Sequence, residues 1–327
     1  MSALTLKIVF LGTSGSIPTS QRNLPAVAVC LDREILLFDC AEGTQRQMFM
    51  AGLSISRISK IFISHLHGDH VMGLPGIIQT LSLMERETPL DIYGPLGLSN
   101  LINSLAENLA FSPSFDINVH QVSPGNLFES SKYVVKCAQV DHGSIDAYAY
   151  AFEEKPKPGK FHPEKAVMLG VPMGPLWKQL QMGKPVTLEN GRVVVPEEVV
   201  EPSKPGRKIV YSGDTAPCQA LLELSSFADV LIHESTFDHT LESKANETKH
   251  STSVQAAMIA REAKVNLLVL THISSRYTDT SLLLQQAKEI FPNTIVAQDF
   301  MEVLIDSKGT VKVSLISAQT KTLQNTI

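Results

Sequence analysis

Short apolar runs closed by glycine, asparagine or aspartate alternate along this chain with longer stretches whose apolar residues recur at helical spacing. The runs predict strands at Leu6–Leu11, Ala26–Leu31, Glu34–Asp39, Ile58–Ile63, Asp91–Pro95 (with its turn), Phe115–Val122 and Tyr133–Val140. Helical stretches are predicted to begin near Gly43 and to cover Leu74–Met84 and Leu98–Leu109. In the second half, strands are predicted at Arg207–Tyr211, Val230–His233, Val265–Leu270, Thr294–Ala297 and Val311–Ile316, with helices at Ser253–Ala263 and Ser281–Ile290. Helices and strands interleave in both halves, which predicts an α/β architecture with helices covering sheets.

One stretch breaks the pattern. Of the 18 prolines, nine fall between Pro156 and Pro205, and Lys155–Lys184 holds six lysines against one glutamate. About 153–205 therefore reads as an insertion projecting from the core and carrying a local positive field.

Composition changes this picture only at the margins. With 327 residues, 43% apolar and 19% charged, the chain can bury a substantial core. A net charge of −5 excludes a protein that is basic all over, so any nucleic-acid contact depends on a local patch. Cys30, Cys40, Cys137 and Cys218 form no CxxC pair and read as reduced thiols rather than a disulfide framework or zinc knuckle. No signal-peptide pattern and no apolar run of membrane-spanning length is found, so a soluble cytoplasmic protein is expected.

Chemistry concentrates at Ser64-His65-Leu66-His67-Gly68-Asp69-His70, directly after a predicted strand. Three imidazoles and a carboxylate there can face one small volume, and without thiolates the set suits zinc. Gly68 reads as a tight turn that a Cβ would obstruct. Three more predicted strands end on similar residues: Asp141-His142-Gly143, Ser212-Gly213-Asp214-Thr215 and Thr271-His272. One histidine at a strand end is usually a satisfied core residue; four such places sharing that geometry point to a metal site. The turn Gly12-Thr13-Ser14-Gly15-Ser16 lacks the lysine of a P-loop and reads as a strand connection near that site. His233-Glu234-Ser235-Thr236 and His250-Ser251-Thr252 hold a glutamate and a histidine that are either separate polar groups or a pair. As a pair, the carboxylate would support an imidazolium able to protonate a leaving alkoxide.

His65-x-His67-x-Asp69-His70, then His142, Asp214 and His272, resemble the ligand series of the metallo-β-lactamase superfamily. The resemblance implies an αββα sandwich with two zinc ions per subunit at one edge, and one catalytic domain spanning 1–327. His65, His67 and His142 would hold one ion, Asp69, His70 and His272 the other, and Asp214 would bridge them.

Further motifs are similar to those of the tRNA 3′-endonucleases called ribonuclease Z. They are the PTSxRN-like loop at Arg22, AEGTQRQ at Ala41–Gln47, SHLHGDHxxGLPG, SGDT, HEST, HST and THxSxRY. That resemblance implies Asp69 as proton acceptor, Glu234 and His250 as a proton relay, and Arg276 and Tyr277 beside the scissile phosphate, with Arg22 also on the substrate side. Lys249 departs from the family, where a glycine commonly precedes the histidine. Gly170–Leu176, with Gly174 and Pro175, resembles the Gly-Pro motif of a protruding flexible arm that grips tRNA. The implied activity is zinc-dependent hydrolysis at the 3′ side of precursor tRNA by a homodimer, with no membrane and no obligate protein partner. Two other readings remain: another hydrolase on the same centre, such as a small-molecule phosphodiesterase, and an RNA-binding subunit that has lost catalysis.

Overall fold

Strands that are apolar on both faces set the architecture. All six side chains of Ala26–Leu31 are buried. Ala26, Ala28 and Cys30 join an apolar cluster with Leu74, Ile77, Ile78 and Leu81 of one helix and Leu98 and Ile102 of another. The alternate residues Val27, Val29 and Leu31 face the other way. A strand buried on both sides needs a layer over each face.

The computed structural model describes residues 6–108, 112–156, 158–307 and 309–316; Leu109, the predicted end of one helix, lies outside them. The described residues divide into two compact units, one built from those within 6–129, 134–152 and 207–316, the other from those within 130–133 and 153–206.

Among the described residues, the larger unit contains two large sheets and a two-stranded pairing of Ser14–Gly15 with Ile273–Ser274. Eight strands run in the order Val311–Leu315, Met301–Ile305, Leu6–Gly12, Ala26–Leu31, Glu34–Phe38, Ile58–Phe62, Leu90–Gly94, Ile117–Gln121. Seven run in the order Thr294–Val296, Leu267–Thr271, Val230–Glu234, Lys208–Tyr211, Tyr148–Glu154, Tyr133–Gln139, Gly125–Glu129. Between the sheets lies an aromatic core: Phe38 and Phe62 stack at 5.2 Å, Phe62 meets Tyr150 at 5.5 Å, and Phe38 meets Tyr211 at 6.1 Å. Outside the second sheet, Ala256, Ala257 and Ala260 of helix Ser253–Glu262 pack with Leu221 and Ala287. The order is helix, sheet, sheet, helix, the metallo-β-lactamase αββα sandwich.

Parallel pairings join Glu34–Phe38, Ile58–Phe62, Leu90–Gly94 and Ile117–Gln121 in one sheet. They also join Lys208–Tyr211, Val230–Glu234, Leu267–Thr271 and Thr294–Val296 in the other. Strands running side by side in one direction end together, so the residues that follow them gather at one edge.

The predicted strands and helices reappear, most with bounds moved by a residue or two. The structure adds strands Gly125–Glu129, Tyr148–Glu154 and Met301–Ile305 and helices Gln219–Ser225 and Glu242–Thr248. Gly125–Glu129 is a half-exposed edge strand with no apolar alternation to mark it. Tyr148–Glu154, Tyr-Ala-Tyr-Ala-Phe-Glu-Glu, is rich in residues that favour helix in isolation and is made a strand by burial on both faces.

The smaller unit carries helices Pro163–Met168 and Pro175–Gln181, each beginning on proline where a missing N–H costs nothing, and a short hairpin pairing Val186–Thr187 with Val193–Val194. Its core is small: Ala166, Val171, Leu180, Val186, Leu188, Val194 and Val199. Phe161 and Trp177 meet at 5.2 Å, and the Trp177 indole N–H donates to the Val171 carbonyl, so both aromatics serve this core.

Candidate metal centre

Strand Ile58–Phe62 delivers Ser64 and His65 to the sheet edge, and the chain then winds one helical turn, Gly68–Val71, which turns Asp69 and His70 back toward it. Gly68 does not perform the role expected of it. A Cβ there would meet only the Met72 Cγ at 3.6 Å, ordinary contact. The indispensable glycine is Gly73, whose added Cβ would lie 2.0 Å from the Ala41 carbonyl oxygen.

Two sets of donors converge. His65, His67, His142 and Asp214 form one, and Asp69, His70 and His272 the other; within each set the donor atoms lie within 4.8 Å of one another. Asp214 reaches across: its Oδ2 is 3.8 Å from His65 Nε2, 3.4 Å from His70 Nε2 and 3.2 Å from His272 Nε2. Burial and the neighbouring His70 push the His65 imidazole down to about 2, so it is neutral, the form that binds metal. Burial works against charge on Asp214, but His272 and His70 outweigh it and hold the group ionised, well below the usual carboxylate range.

The residues fit a metal. His70 Nε2, His272 Nε2 and Asp214 Oδ1 are buried without a hydrogen-bond partner, although such atoms are ordinarily satisfied. Nitrogens crowd together, His65 Nε2 at 2.9 Å and His142 Nε2 at 3.4 Å from His67 Nδ1, with at most one proton to share among the three. For four of the five histidines the far ring nitrogen is held: His65 by Ser64 Oγ at 3.0 Å, His70 by Asp39 Oδ2 at 2.6 Å, His142 by the Lys249 carbonyl at 2.9 Å, and His272 by Thr236 Oγ1 at 2.8 Å. That is the way ligating imidazoles are aimed. Nitrogen and oxygen donors without thiolate, in two clusters, suit two zinc ions per subunit.

Beside the donors, His250 Nδ1 lies 2.7 Å from Glu234 Oε1. Burial opposes a charge on His250, yet Glu234 and Asp214 more than offset it and raise the imidazole to about 9. The two residues left open by the sequence are therefore a pair, with a protonated nitrogen at neutral pH. Asp69 accepts the Ser16 N–H at 2.9 Å; burial pushes it upward, and His272 and His70 prevail and keep it ionised.

The other residues singled out from the sequence are placed differently. The Arg276 guanidinium lies 4.9 Å from the centre of the Phe237 ring, which itself stands 6.1 Å from the His250 ring. The Tyr277 hydroxyl donates to Asp238 Oδ2 at 2.6 Å and accepts from its N–H. Arg22 Nη1 donates to Thr13 Oγ1 at 2.7 Å and to the Ala297 carbonyl at 2.6 Å, so it ties the loop to the sheet end. Gly174 and Pro175 belong to the smaller unit.

Three participants escaped the sequence. Asp39 takes hydrogen bonds from Ser64 N–H and Oγ, His70 and the Tyr211 hydroxyl. It follows strand Glu34–Phe38 directly, so the strand-end criterion that found Asp214 could have found it. Gly15 is the second: the Ser14–Gly15 bridge pairs with Ile273–Ser274, and a Cβ on Gly15 would sit 2.6 Å from the His272 ring. Thr236, inside HEST, is the third.

A family model described as anti-Pycsar protein Apyc1 matches residues 6–155, stopping before Asp214, Glu234, His250 and His272. Over 301 residues, 92% of this chain and 98% of the other, it is 48% identical to the ribonuclease Z of Methanosarcina acetivorans. To that of Methanothermobacter thermautotrophicus it is 46% identical, covering 91% and 96%. The chain belongs to the ribonuclease Z family. Among solved structures, human tRNase Z, short form, superposes with a TM-score of 0.66 at 30% identity, covering 90% of this chain and 98% of that one. In this chain, the donor clusters and the His250–Glu234 pair lie within the span shared with the archaeal proteins. No helix among the described residues is long and apolar enough to cross a membrane.

Proposed function

We propose that the protein is a zinc-dependent endoribonuclease that removes the 3′ trailer from precursor tRNA, leaving a 3′-hydroxyl on the tRNA and a 5′-phosphate on the trailer. The observation that carries this reading is the His250–Glu234 pair, 2.7 Å apart, beside two donor clusters on a chain of this family. Bound zinc would supply positive charge that makes a water more acidic and stabilises the oxygens of an in-line phosphoryl displacement. His65, His67 and His142 would hold one ion and Asp69, His70 and His272 the other, with Asp214 available to both.

The chain's own groups handle the protons. Asp69, ionised and fixed by the Ser16 amide, receives the proton of the attacking water. As the new P–O bond forms and the bond from phosphorus to the tRNA 3′-oxygen breaks, His250 gives its proton to that oxygen, and Glu234 stabilises the imidazolium beforehand. Arg276, exposed and stacked on Phe237, is available to a phosphate beside His250. Arg22 and Tyr277 act from behind, through the loops they tie.

The unit containing 153–206 serves as the tRNA-gripping arm, with Gly174 and Pro175 at the start of helix Pro175–Gln181. Its lysines meet phosphates without reading sequence. A homodimer in the cytoplasm completes the proposal; exposed Phe49, Met50, Leu83 and Met84 on helices of the larger unit offer apolar area for self-association.

A 3′-extended precursor tRNA incubated with the protein should yield a 3′-hydroxyl tRNA and a 5′-phosphorylated trailer, and a chelator should stop it. Binding without cleavage in added zinc would favour an RNA-binding subunit. Cleavage of bis(p-nitrophenyl) phosphate alone would favour a small-molecule phosphodiesterase.

A further inference from the structure

We propose that Thr236 is a positioning residue: its hydroxyl joins the His250–Glu234 pair to His272 and fixes the tautomer in which His272 meets the metal. The inference rests on the reading of His272 as a ligand and deepens it.

The hydrogen bonds leave no freedom of direction. Glu234 is buried, 1% exposed, and as a carboxylate it only accepts. Oε1 takes the His250 ring N–H at 2.7 Å and the Thr215 N–H at 3.0 Å. Oε2 takes the Thr236 N–H at 3.2 Å and the Thr236 hydroxyl at 2.7 Å. The hydroxyl has one proton, and Glu234 has claimed it. At 2.8 Å from that same hydroxyl, His272 Nδ1 must therefore donate.

In the neutral ring, the form that binds metal, a proton on Nδ1 puts the lone pair of His272 on Nε2. That atom is buried without a partner and faces Asp214 Oδ2 at 3.2 Å and Asp69 Oδ2 at 3.6 Å. A lone pair directed at two carboxylate oxygens is unfavourable until a cation lies between them. Thr236 thus keeps the proton on Nδ1 and leaves Nε2 as the one nitrogen that can meet the metal. It also carries the negative charge of Glu234 one bond closer to the ligand, which strengthens the imidazole as a donor. Thr236 itself is only 5% exposed, so water does not readily replace its hydroxyl. The single hydroxyl thereby serves two functions, since Glu234 is also the partner of the proposed acid.

The test measures metal and tautomer, not turnover. Zinc affinity is read by chelator competition on the whole protein and its Thr236→Val, Thr236→Ser and His272→Asn variants. Asparagine is chosen because His272 has φ +54°, a left-handed conformation that Asn tolerates. Thr236→Val should weaken the affected zinc by about 10–100-fold, the usual effect of losing such an outer partner, while Thr236→Ser, which keeps the hydroxyl, should stay near wild type. In the metal-free wild type, long-range 1H–15N spectra should show the His272 proton on Nδ1, with the signal identified by its loss in His272→Asn. A His272 Nδ1 without a proton in the wild type, or unchanged zinc affinity in Thr236→Val, would overturn the inference. Should Thr236→Val fail to fold, the wild-type tautomer and the serine variant still decide. If His272→Asn leaves zinc affinity intact, the ligand reading fails instead, a separate result.

Discussion

Asp214 and Glu234 of the larger unit are 2% and 1% exposed, whereas Lys160, Lys165, Lys178 and Lys184 of the smaller unit all lie open to solvent. The buried carboxylates have lost water and must find every partner inside the protein, which leaves them one geometry. The exposed lysines keep their water and their rotamers, and their charge acts at a distance that salt can screen. Each arrangement suits one task. Chemistry on a phosphodiester needs fixed donors, while holding a folded polyanion of variable sequence needs charge that adapts. Substitutions in the two units should therefore fail in different ways.

The largest effect should come from His67→Ala. Its Nδ1 is the atom on which His65 and His142 converge at 2.9 and 3.4 Å. Zinc content and cleavage should be lost together, measured by metal analysis and by precursor tRNA processing. Full metal and full activity in this variant would break the comparison at its root. Next comes His250→Ala, which should slow single-turnover cleavage by about 10²–10⁴-fold, the range for a positioned acid. Binding of precursor tRNA should hardly change; if binding collapses and the chemical rate holds, His250 belongs with the gripping residues.

The fold was legible wherever burial was symmetrical. Strands such as Ala26–Leu31, apolar throughout, declared themselves, and the ligand candidates could be read because each lies just beyond a strand, even one buried on one face only such as Tyr133–Gln139. Tyr148–Glu154 was hidden because its alanines and glutamates are strand residues only in that sandwich. At the site, residue types that bind metal are rare enough to stand out. The residues that aim them are not: a serine, a threonine and a lysine carbonyl carry no signature, and Thr236 or the Lys249 carbonyl gains a role only when the chain brings a ring to 2.8 or 2.9 Å. Arg22 shows the converse, a residue conspicuous in a motif whose guanidinium turns inward to Thr13 and Ala297.

The third test uses the cost of that inward polar shell. Asp299 accepts from Thr13 Oγ1 at 2.8 Å, the Asn23 N–H at 2.7 Å and Gln47 Nε2 at 2.9 Å, and burial pushes it up to about 6. An unfolded aspartate titrates near 3.9. Because the folded value is the higher one, the folded state binds the extra proton between them, so this contribution is full below about pH 4 and lost as pH rises through 6. Urea unfolding should therefore show stability falling by roughly 1–3 kcal/mol from pH 4 to 7 relative to Asp299→Asn. A difference that is flat with pH would mean that Asp299 is as solvated as the charges of the smaller unit.

The smallest effects make the sharpest comparison, because they set one residue type against itself. Lys178 and Lys184 are exposed on the smaller unit, and each that meets a phosphate should, on replacement by alanine, flatten the plot of log affinity for precursor tRNA against log salt by about one unit. Lys249 is also a lysine, 44% exposed, but its Nζ lies 3.0 Å from Asp141 Oδ2 and its carbonyl holds His142. Lys249→Ala should leave the salt slope where it was and cost no more than about 1 kcal/mol, the worth of an exposed ion pair. Lys249→Gly should do better still. Lys249 ends helix Glu242–Thr248 at φ 58°, ψ 43°, a left-handed conformation that glycine adopts without the penalty a Cβ imposes, about 1 kcal/mol. The gain and the lost ion pair are of similar size and opposite sign, so the melting temperature should scarcely move. If either Lys249 variant flattens the salt plot as much as Lys178→Ala, the lysine beside the metal centre is reading phosphates too, and the division of labour between buried chemistry and exposed charge does not hold.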